Sequence, residues 1–244
     1  MASAAIDVRR PVVWVTGASR GIGMEIAGQF ASVGCEVCLS ARSARELDSI
    51  VRGIQKLGGR AHSFPCDISN PKAISLTVRK IRKSVGEIDV LVNNAGITVF
   101  KDFLGTQPEE FVNIISTNLV GHVLCTKAVI HSMARRKQGW VFNIISNAAI
   151  KTFEGSAAYT ATKAGMLGLG KVLREEMRRY NVKVVNVIPG ATETEMWSPA
   201  NRRRHGHRMM SAKGVAEAVL SVFQMPDDVV VDEMVLRPIK GDLA

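Results

Sequence analysis

The chain is thin in aromatic residues, holds few cysteines and has no long apolar stretch, and each shortage removes a class of protein. Aromatics make up 5% of 244 residues, with only two tyrosines, so a tyrosine inside a chemical motif stands out. Four cysteines at this length do not suggest a secreted disulfide framework. Cys35-Glu36-Val37-Cys38 has the spacing of a redox motif, but in a strand-like segment positions i and i+3 point to opposite faces, and buried core thiols are expected. No apolar run approaches the roughly 18 residues that a membrane helix needs, and the opening segment lacks the apolar core of a signal sequence. A cytoplasmic protein with no membrane partner is expected. His62, His122, His131, His205 and His207 are scattered without metal-ligand spacing, so no metal site is expected.

Hydrophobic residues at 46% and charged residues at 22% are ordinary globular composition. Lysine and arginine total 32 against 22 acids, a net charge of +10. That balance permits attraction to nucleic acid, a membrane surface or an acidic ligand. The densest basic run is Arg202-Arg203-Arg204-His205-Gly206-His207-Arg208, which is either a solvated loop or a surface for a phosphorylated cofactor or an acidic carrier. No helix-turn-helix or finger pattern occurs, and no nucleic-acid partner is expected.

Short apolar runs alternate with longer amphipathic ones, the pattern of a parallel sheet covered by helices on both faces. Strands are predicted at Val12 to Thr16, Glu36 to Ser40, Ala61 to Cys66, Val90 to Asn93, Trp140 to Ile145, Lys183 to Ile188 and Glu233 to Arg237. Helices are predicted at about Ile22 to Val33, Ala44 to Leu57, Lys72 to Val85, Pro108 to Arg136, Ala157 to Tyr180 and Ala212 to Gln224. Gly34, Gly58 and Gly139 fall where helices should stop. No repeat or linker marks a boundary, so residues 1–244 read as one domain. Pro189 to Ser211 has no periodicity and is a candidate lid, at about 191–211.

After the first strand comes Thr16-Gly17-Ala18-Ser19-Arg20-Gly21-Ile22-Gly23, running straight into a helix. Glycines at 17, 21 and 23 allow a tight turn, close approach of backbone to a pyrophosphate and close helix packing, while the helix N-terminus offers unpaired amides to the anion. A dinucleotide is therefore expected. A site preferring NAD usually places a carboxylate about 20 residues further on, against the ribose 2′-hydroxyl. Here Arg42 and Ser43 follow the second strand instead. A carboxylate would repel a 2′-phosphate, whereas Arg20 and Arg42 can pair with one, which points to NADP(H).

Tyr159 and Lys163 lie four apart in Tyr159-Thr160-Ala161-Thr162-Lys163, with Ser146 thirteen positions upstream. On a helix, i and i+4 share a face, so the ammonium can sit beside the phenol and favour its ionised form. That would make the tyrosine a usable general acid/base. A tyrosine packed on the core beside a solvated lysine is the bland alternative.

Taken together, these residues resemble the short-chain dehydrogenase/reductases, most closely their NADPH-using 3-oxoacyl-acyl-carrier-protein reductase type. The resemblance spans Val12 to about Arg237 and adds Asn93-Asn94-Ala95-Gly96, Asn118 and Pro189-Gly190-Ala191-Thr192-Glu193-Thr194. It implies a doubly wound Rossmann-type α/β fold with seven parallel strands in the order 3-2-1-4-5-6-7, assembled as a homotetramer or homodimer. It implies that Ser146 polarises a substrate carbonyl, Tyr159 donates the proton, Lys163 lowers the phenol's pKa and holds the nicotinamide ribose, and Asn118 holds a water that relays protons. Asn94, Ala95 and Gly96 would lie against the adenosine ribose, although Asn-Ala-Gly also suits a plain turn. Asp67, with Ile68 beside it, matches an adenine contact, or is a helix N-cap. Pro189, Gly190, Thr192 and Thr194 would face the nicotinamide carboxamide.

The expected activity is reduction of a ketone to a secondary alcohol, with a 3-oxoacyl group on acyl carrier protein as the best single substrate and Arg202, Arg203 and Arg204 as the acidic carrier's contact. The alternatives are a free small alcohol, hydroxy acid, sugar or steroid, and a non-catalytic dinucleotide-sensing or nucleic-acid-binding protein.

Overall fold

A computed structural model describes residues 10–241. Its centre is a parallel seven-stranded sheet. The strands that enter it in the first half are β1 (Val12–Thr16), β2 (Glu36–Ser40), β3 (Arg60–Ser63) and β4 (Val90–Asn93). The second half contributes β5 (Gly139–Ile144) and β6 (Val182–Pro189), then two short strands outside the sheet, β7 (Thr192–Glu193) and β8 (Met210–Ser211), and finally β9 (Glu233–Leu236). The sheet order is β3-β2-β1-β4-β5-β6-β9. This is the expected order, the last strand being ninth in the chain because β7 and β8 pair with each other beyond the edge of the sheet.

Eight helices occur among the described residues: α1 (Gly21–Ser32), α2 (Ala44–Lys56), α3 (Pro71–Ser84), α4 (Pro108–Ile115), α5 (Gly121–Arg136), α6 (Ala157–Arg178), α7 (Pro199–His205) and α8 (Ala212–Phe223). Alternate strand residues feed two cores. Val13, Val15 and Leu39 join Ile26 and Phe30 of α1, Leu47 of α2 and Val219 of α8 on one face. Val12, Trp14 and Leu91 join Ile74 of α3 and Val129 and Met133 of α5 on the other. Because both faces are covered, the strands read as unbroken apolar runs. Phe30 lies edge-on to Phe223 at 5.0 Å, a contact that contributes about 0.5–1.5 kcal/mol beyond the area it buries. Cys35 and Cys38 fall into different cores, on opposite faces, and burial pushes the Cys35 thiol up to about 11 and the Cys38 thiol higher still.

Several boundaries differ from the sequence expectation for local reasons. β3 ends at Ser63 rather than Cys66, although the Phe64 and Cys66 amides still donate to the Leu39 and Ala41 carbonyls, both at 2.9 Å, with Pro65 between them facing the open edge of the sheet. Gly34 and Gly58 adopt φ of 87° and 84° past their helices, as expected. Gly139 does not end α5. Lys137 does so with φ 52°, and Gly139 opens β5, where a Cβ would lie 2.6 Å from Met133 Cγ. The stretch expected as one helix from Pro108 to Arg136 is continuous but carries a π-helical turn at Ser116–Val120 between α4 and α5. That composite helix is apolar and long enough to cross a membrane by length and composition alone. Here its His122, Cys125, Val129 and Met133 are buried against the sheet. The basic run expected as a loop or lid is helical: Ser198 caps α7 by accepting from the Asn201 amide at 3.2 Å.

Candidate active site

β1 and β4 are neighbours, but their following connections leave toward opposite edges, so a crevice opens beyond their C-terminal ends. The glycine loop lies there. Gly17 and Gly21 have φ of 65° and 56°, which side-chain-bearing residues rarely adopt. At Gly23 a Cβ would come within 2.3 Å of Asn94 Nδ2 and 2.5 Å of the Gly17 carbonyl. Side chains cap α2, α3, α7 and α8, whereas α1 has none, and its first amides are left for an anion. Ser19 and Ile22 flank that turn half-buried, and Arg20 and Arg42 stand exposed at its rim with no carboxylate in the first turn of α1.

The other expected cofactor residues divide between those facing the crevice and those holding it open. Asn94 Nδ2 donates to the carbonyls of Thr16 at 2.9 Å and Gly17 at 3.1 Å, so its amide is spent on bracing the loop. Of this stretch, the backbone, Ala95 and Gly96 are left uncommitted by that bracing. Ser43 is half-buried and accepts from the Glu46 amide at 3.3 Å, capping α2. Asp67 is no helix cap, since Asn70 caps α3. Its Oδ1 instead accepts from the Ser69 amide at 2.9 Å and hydroxyl at 2.7 Å, closing a tight turn. Ile68 is buried, and its carbonyl lies 2.7 Å from where a Cβ on Gly121 would be. Pro189 is buried at the end of β6, Gly190 donates to Leu236 at 2.8 Å, and the Thr192 hydroxyl donates to the Gly190 carbonyl at 3.0 Å. Thr194 closes on the glycine loop, its Cγ2 3.1 Å from a Cβ built on Gly21.

The second cluster is built on α6 and the π-turn. The wider turn aims the fully buried Asn118 sideways, where its side chain accepts from the Ile97 amide and donates to the Ile97 carbonyl, both at 2.8 Å. Asn118 also reaches the Thr162 hydroxyl on α6 at 3.4 Å. Lys163 is 3% exposed, and its Nζ donates to the Ile144 carbonyl at 2.9 Å, near the end of β5. Burial alone pulls the ammonium from 10.5 to about 8. Tyr159 lies one turn earlier, its ring centroid 5.5 Å from that ammonium. Ser146 accepts from the Ala148 amide at 3.1 Å and hydrogen-bonds the phenol.

The expectation that Lys163 depresses the phenol's pKa is not met by the protein's own groups. Burial raises the phenol above 10.0, and the Ser146 hydrogen bond is the opposing influence. The reason is geometric: the ammonium sits beside the ring and is committed to a backbone carbonyl, not to the phenol oxygen.

Two features escaped the sequence reading. Thr16 is the keystone of the crevice, donating to the Val92 carbonyl at 3.1 Å and accepting from the amides of Asn94 at 3.0 Å and Ala95 at 3.2 Å. A hydroxyl at a strand end just before the glycine loop was the available signal. Beneath the site, Asn93, Asn143 and Asn186 lie in register across three strands, linked at 3.0 and 3.1 Å. Asn93 reaches Thr126 of α5, and Asn186 reaches the Leu167 carbonyl of α6. Three asparagines inside otherwise apolar strands were visible, but their alignment was not.

The arrangement can bind a phosphate-bearing cofactor along the glycine loop and present a hydroxyl, a proton-bearing phenol and an ammonium to a carbonyl beside it. The short chain dehydrogenase profile matches residues 11–205. The chain belongs to the short-chain dehydrogenase family. Like other members it is an oxidoreductase, and its relatives differ in substrate. It is 33% identical to sepiapterin reductase of Chlorobaculum tepidum over 95% of this chain and 98% of the relative. It is 37% identical to a 3-oxoacyl-[acyl-carrier-protein] reductase of Synechocystis over 78% of this chain and 77% of that one. A metagenomic short-chain oxidoreductase, solved in complex with NADP, superposes with a TM-score of 0.83 at 35% identity, covering 93% of this chain and 96% of that one.

Proposed function

We propose that this short-chain dehydrogenase is an NADPH-dependent carbonyl reductase acting on CH–OH/C=O pairs. The observation that carries the reading is the convergence of Ser146, Tyr159 and Lys163 beside a glycine loop whose helix is uncapped and whose rim holds Arg20 and Arg42. The residues fit the cofactor: the crevice has the glycines and open amides for a pyrophosphate, and two guanidiniums where a carboxylate would disfavour the 2′-phosphate. Gly17, Ser19, Arg20, Gly21, Ile22, Gly23, Arg42 and Ser43 would hold its phosphate and ribose, and Asp67, Ile68 and Asn94 to Gly96 its adenosine half. Lys163, Tyr159 and Pro189 to Thr194 would hold the nicotinamide half. NADPH supplies the hydride when bound.

Everything else falls to the chain's own groups. The Ser146 hydroxyl orients the carbonyl oxygen, and the Tyr159 phenol, kept proton-bearing by burial, gives its proton to that oxygen as the alkoxide forms. Lys163 holds positive charge beside the resulting phenolate, and a proton drawn from solvent past Asn118 and Lys163 restores the phenol. Among substrates, we propose a 3-oxoacyl thioester on acyl carrier protein, supported by exposed Arg203 and Arg204 beside Arg202 on α7 and by the Synechocystis relative. A free carbonyl compound is the second reading, favoured by Phe100 stacked on Trp197 at 5.8 Å and by the sepiapterin reductase relative. The reading includes one cytoplasmic domain, a lid at residues 191–211 and assembly as a homotetramer or homodimer.

The test is loss of NADPH absorbance with a panel of ketones and acetoacetyl thioesters. Tyr159→Phe should lower kcat by at least about 100-fold while NADPH affinity holds. Activity that survives the substitution refutes the proton donor.

A further inference from the structure

Only 5% of the chain is aromatic, yet aromatics gather at the mouth of the catalytic cluster on three segments that touch one another. Phe100 and Trp197 stack with ring centroids 5.8 Å apart and planes 20° apart, joining the segment after β4 to the segment after β7. The backbone of Lys101, next to Phe100, donates to the Gly155 carbonyl at 3.0 Å, which ties the first segment to the loop before α6. In that loop the Ser156 hydroxyl donates to the Phe153 carbonyl at 2.6 Å, and Tyr159 follows within the first turn of α6. The stacked pair Phe100–Trp197 is therefore tied through the backbone to the loop that carries Phe153 and leads into Tyr159.

This surface is also open to solvent, with Phe100 51%, Phe153 37% and Met196 40% exposed. Exposed apolar groups that converge on a reactive centre are a binding surface rather than scatter. Two cations beside it are engaged. Lys101 pairs with Glu110 at 2.6 Å, and Lys151 lies over the Phe153 ring at 5.7 Å. The stacked rings, Phe153 and Met196 offer a substrate an apolar surface beside the catalytic cluster.

We infer that the substrate is a carbonyl compound carrying a long alkyl or aromatic substituent, and that Phe100, Phe153 and Trp197 select it by packing along that substituent. The inference rests on the carbonyl-reductase reading. The same chemistry suits a carrier-tethered acyl chain and a free apolar ketone, and two substrate series separate the sources.

The experiment measures kcat/KM with NADPH for methyl ketones from butanone to decanone and for 3-oxoacyl N-acetylcysteamine thioesters over the same chain lengths. A fully buried methylene corresponds to about fourfold in kcat/KM, and against a half-exposed wall about twofold per methylene is expected in at least one series. Phe100→Ala and Trp197→Ala should flatten that rise while leaving the shortest substrate and NADPH affinity within about twofold. Trp197→Phe, which keeps a ring to stack on Phe100, should retain most of it. A rise in the thioesters alone assigns the acyl chain as the occupant, and a rise in both series assigns the shared apolar substituent. A flat wild-type series with NADPH still consumed overturns the inference and leaves the reductase standing. Alanine variants that slow every chain length equally overturn the role of these residues. No NADPH consumption with any carbonyl overturns the reductase reading itself.

Discussion

Lys163 gives the catalytic cluster a pH dependence at mildly alkaline pH. It is a base whose folded value is lowered by burial, from 10.5 to about 8, so its charge is present below about 8 and is lost as the pH rises through that value. If its ammonium holds the nicotinamide ribose, NADPH binding should weaken above pH about 8, by up to about tenfold per pH unit, in a fluorescence titration from neutral to alkaline pH. Lys163→Met should bind weakly at every pH and show no such slope. Tyr159 works in the opposite sense: raised by burial, it keeps its proton at neutral pH, the form that reduction consumes. His122 is a further buried titratable group. Its ring faces the Ala95 backbone without either nitrogen reaching hydrogen-bond geometry, and burial, helped by the Lys163 charge, pulls it down to about 3. The residue pair Tyr159 and Lys163 could be picked out from its spacing. The direction of the phenol's shift could not, because it is set by burial, which only the packed structure decides.

At the scale of elements, the glycine loop and α1 form a unit clamped by the end of β4. Gly23 is where the clamp is tightest, with Asn94 Nδ2 and the Gly17 carbonyl both in the path of a Cβ. Gly23→Ala should push Asn94 off the loop, cost about 1–3 kcal/mol of stability and weaken NADPH binding by more than tenfold. Thermal unfolding and a cofactor titration check the two effects together. Here the sequence pattern was nearly complete, since strand, glycines and helix follow one another in the chain and their purpose is local. The π-turn at Ser116–Val120 was not legible. Apolar periodicity continues smoothly across it, and only the meeting of Asn118 with Ile97 and Thr162 shows why the helix widens there.

Across the whole molecule, part of the positive charge gathers on one helix. α7 lifts Arg203 and Arg204 into solvent on the side of the catalytic mouth, beyond the short pair of β7 and β8. Should an acidic carrier dock there, replacing Arg202, Arg203 and Arg204 with Ser should raise KM for a carrier-linked substrate by about tenfold or more and leave a small ketone unchanged. The wild-type rate with the carrier should also fall with added salt, as expected for exposed charges beyond a Debye length of about 8 Å. Equal effects on both substrates would remove the carrier from consideration. The strand and helix positions, the glycine loop and the Tyr-Lys pair were all readable beforehand, because each is set by neighbours in the chain: apolar runs and helical patterns, turn residues, and one helical turn of spacing, whereas the order of the strands followed only from the family resemblance. The asparagine ladder across β4, β5 and β6 and the stacking of Phe100 on Trp197 came only from tertiary packing. Their members are far apart in sequence, and no local propensity records which of them will meet.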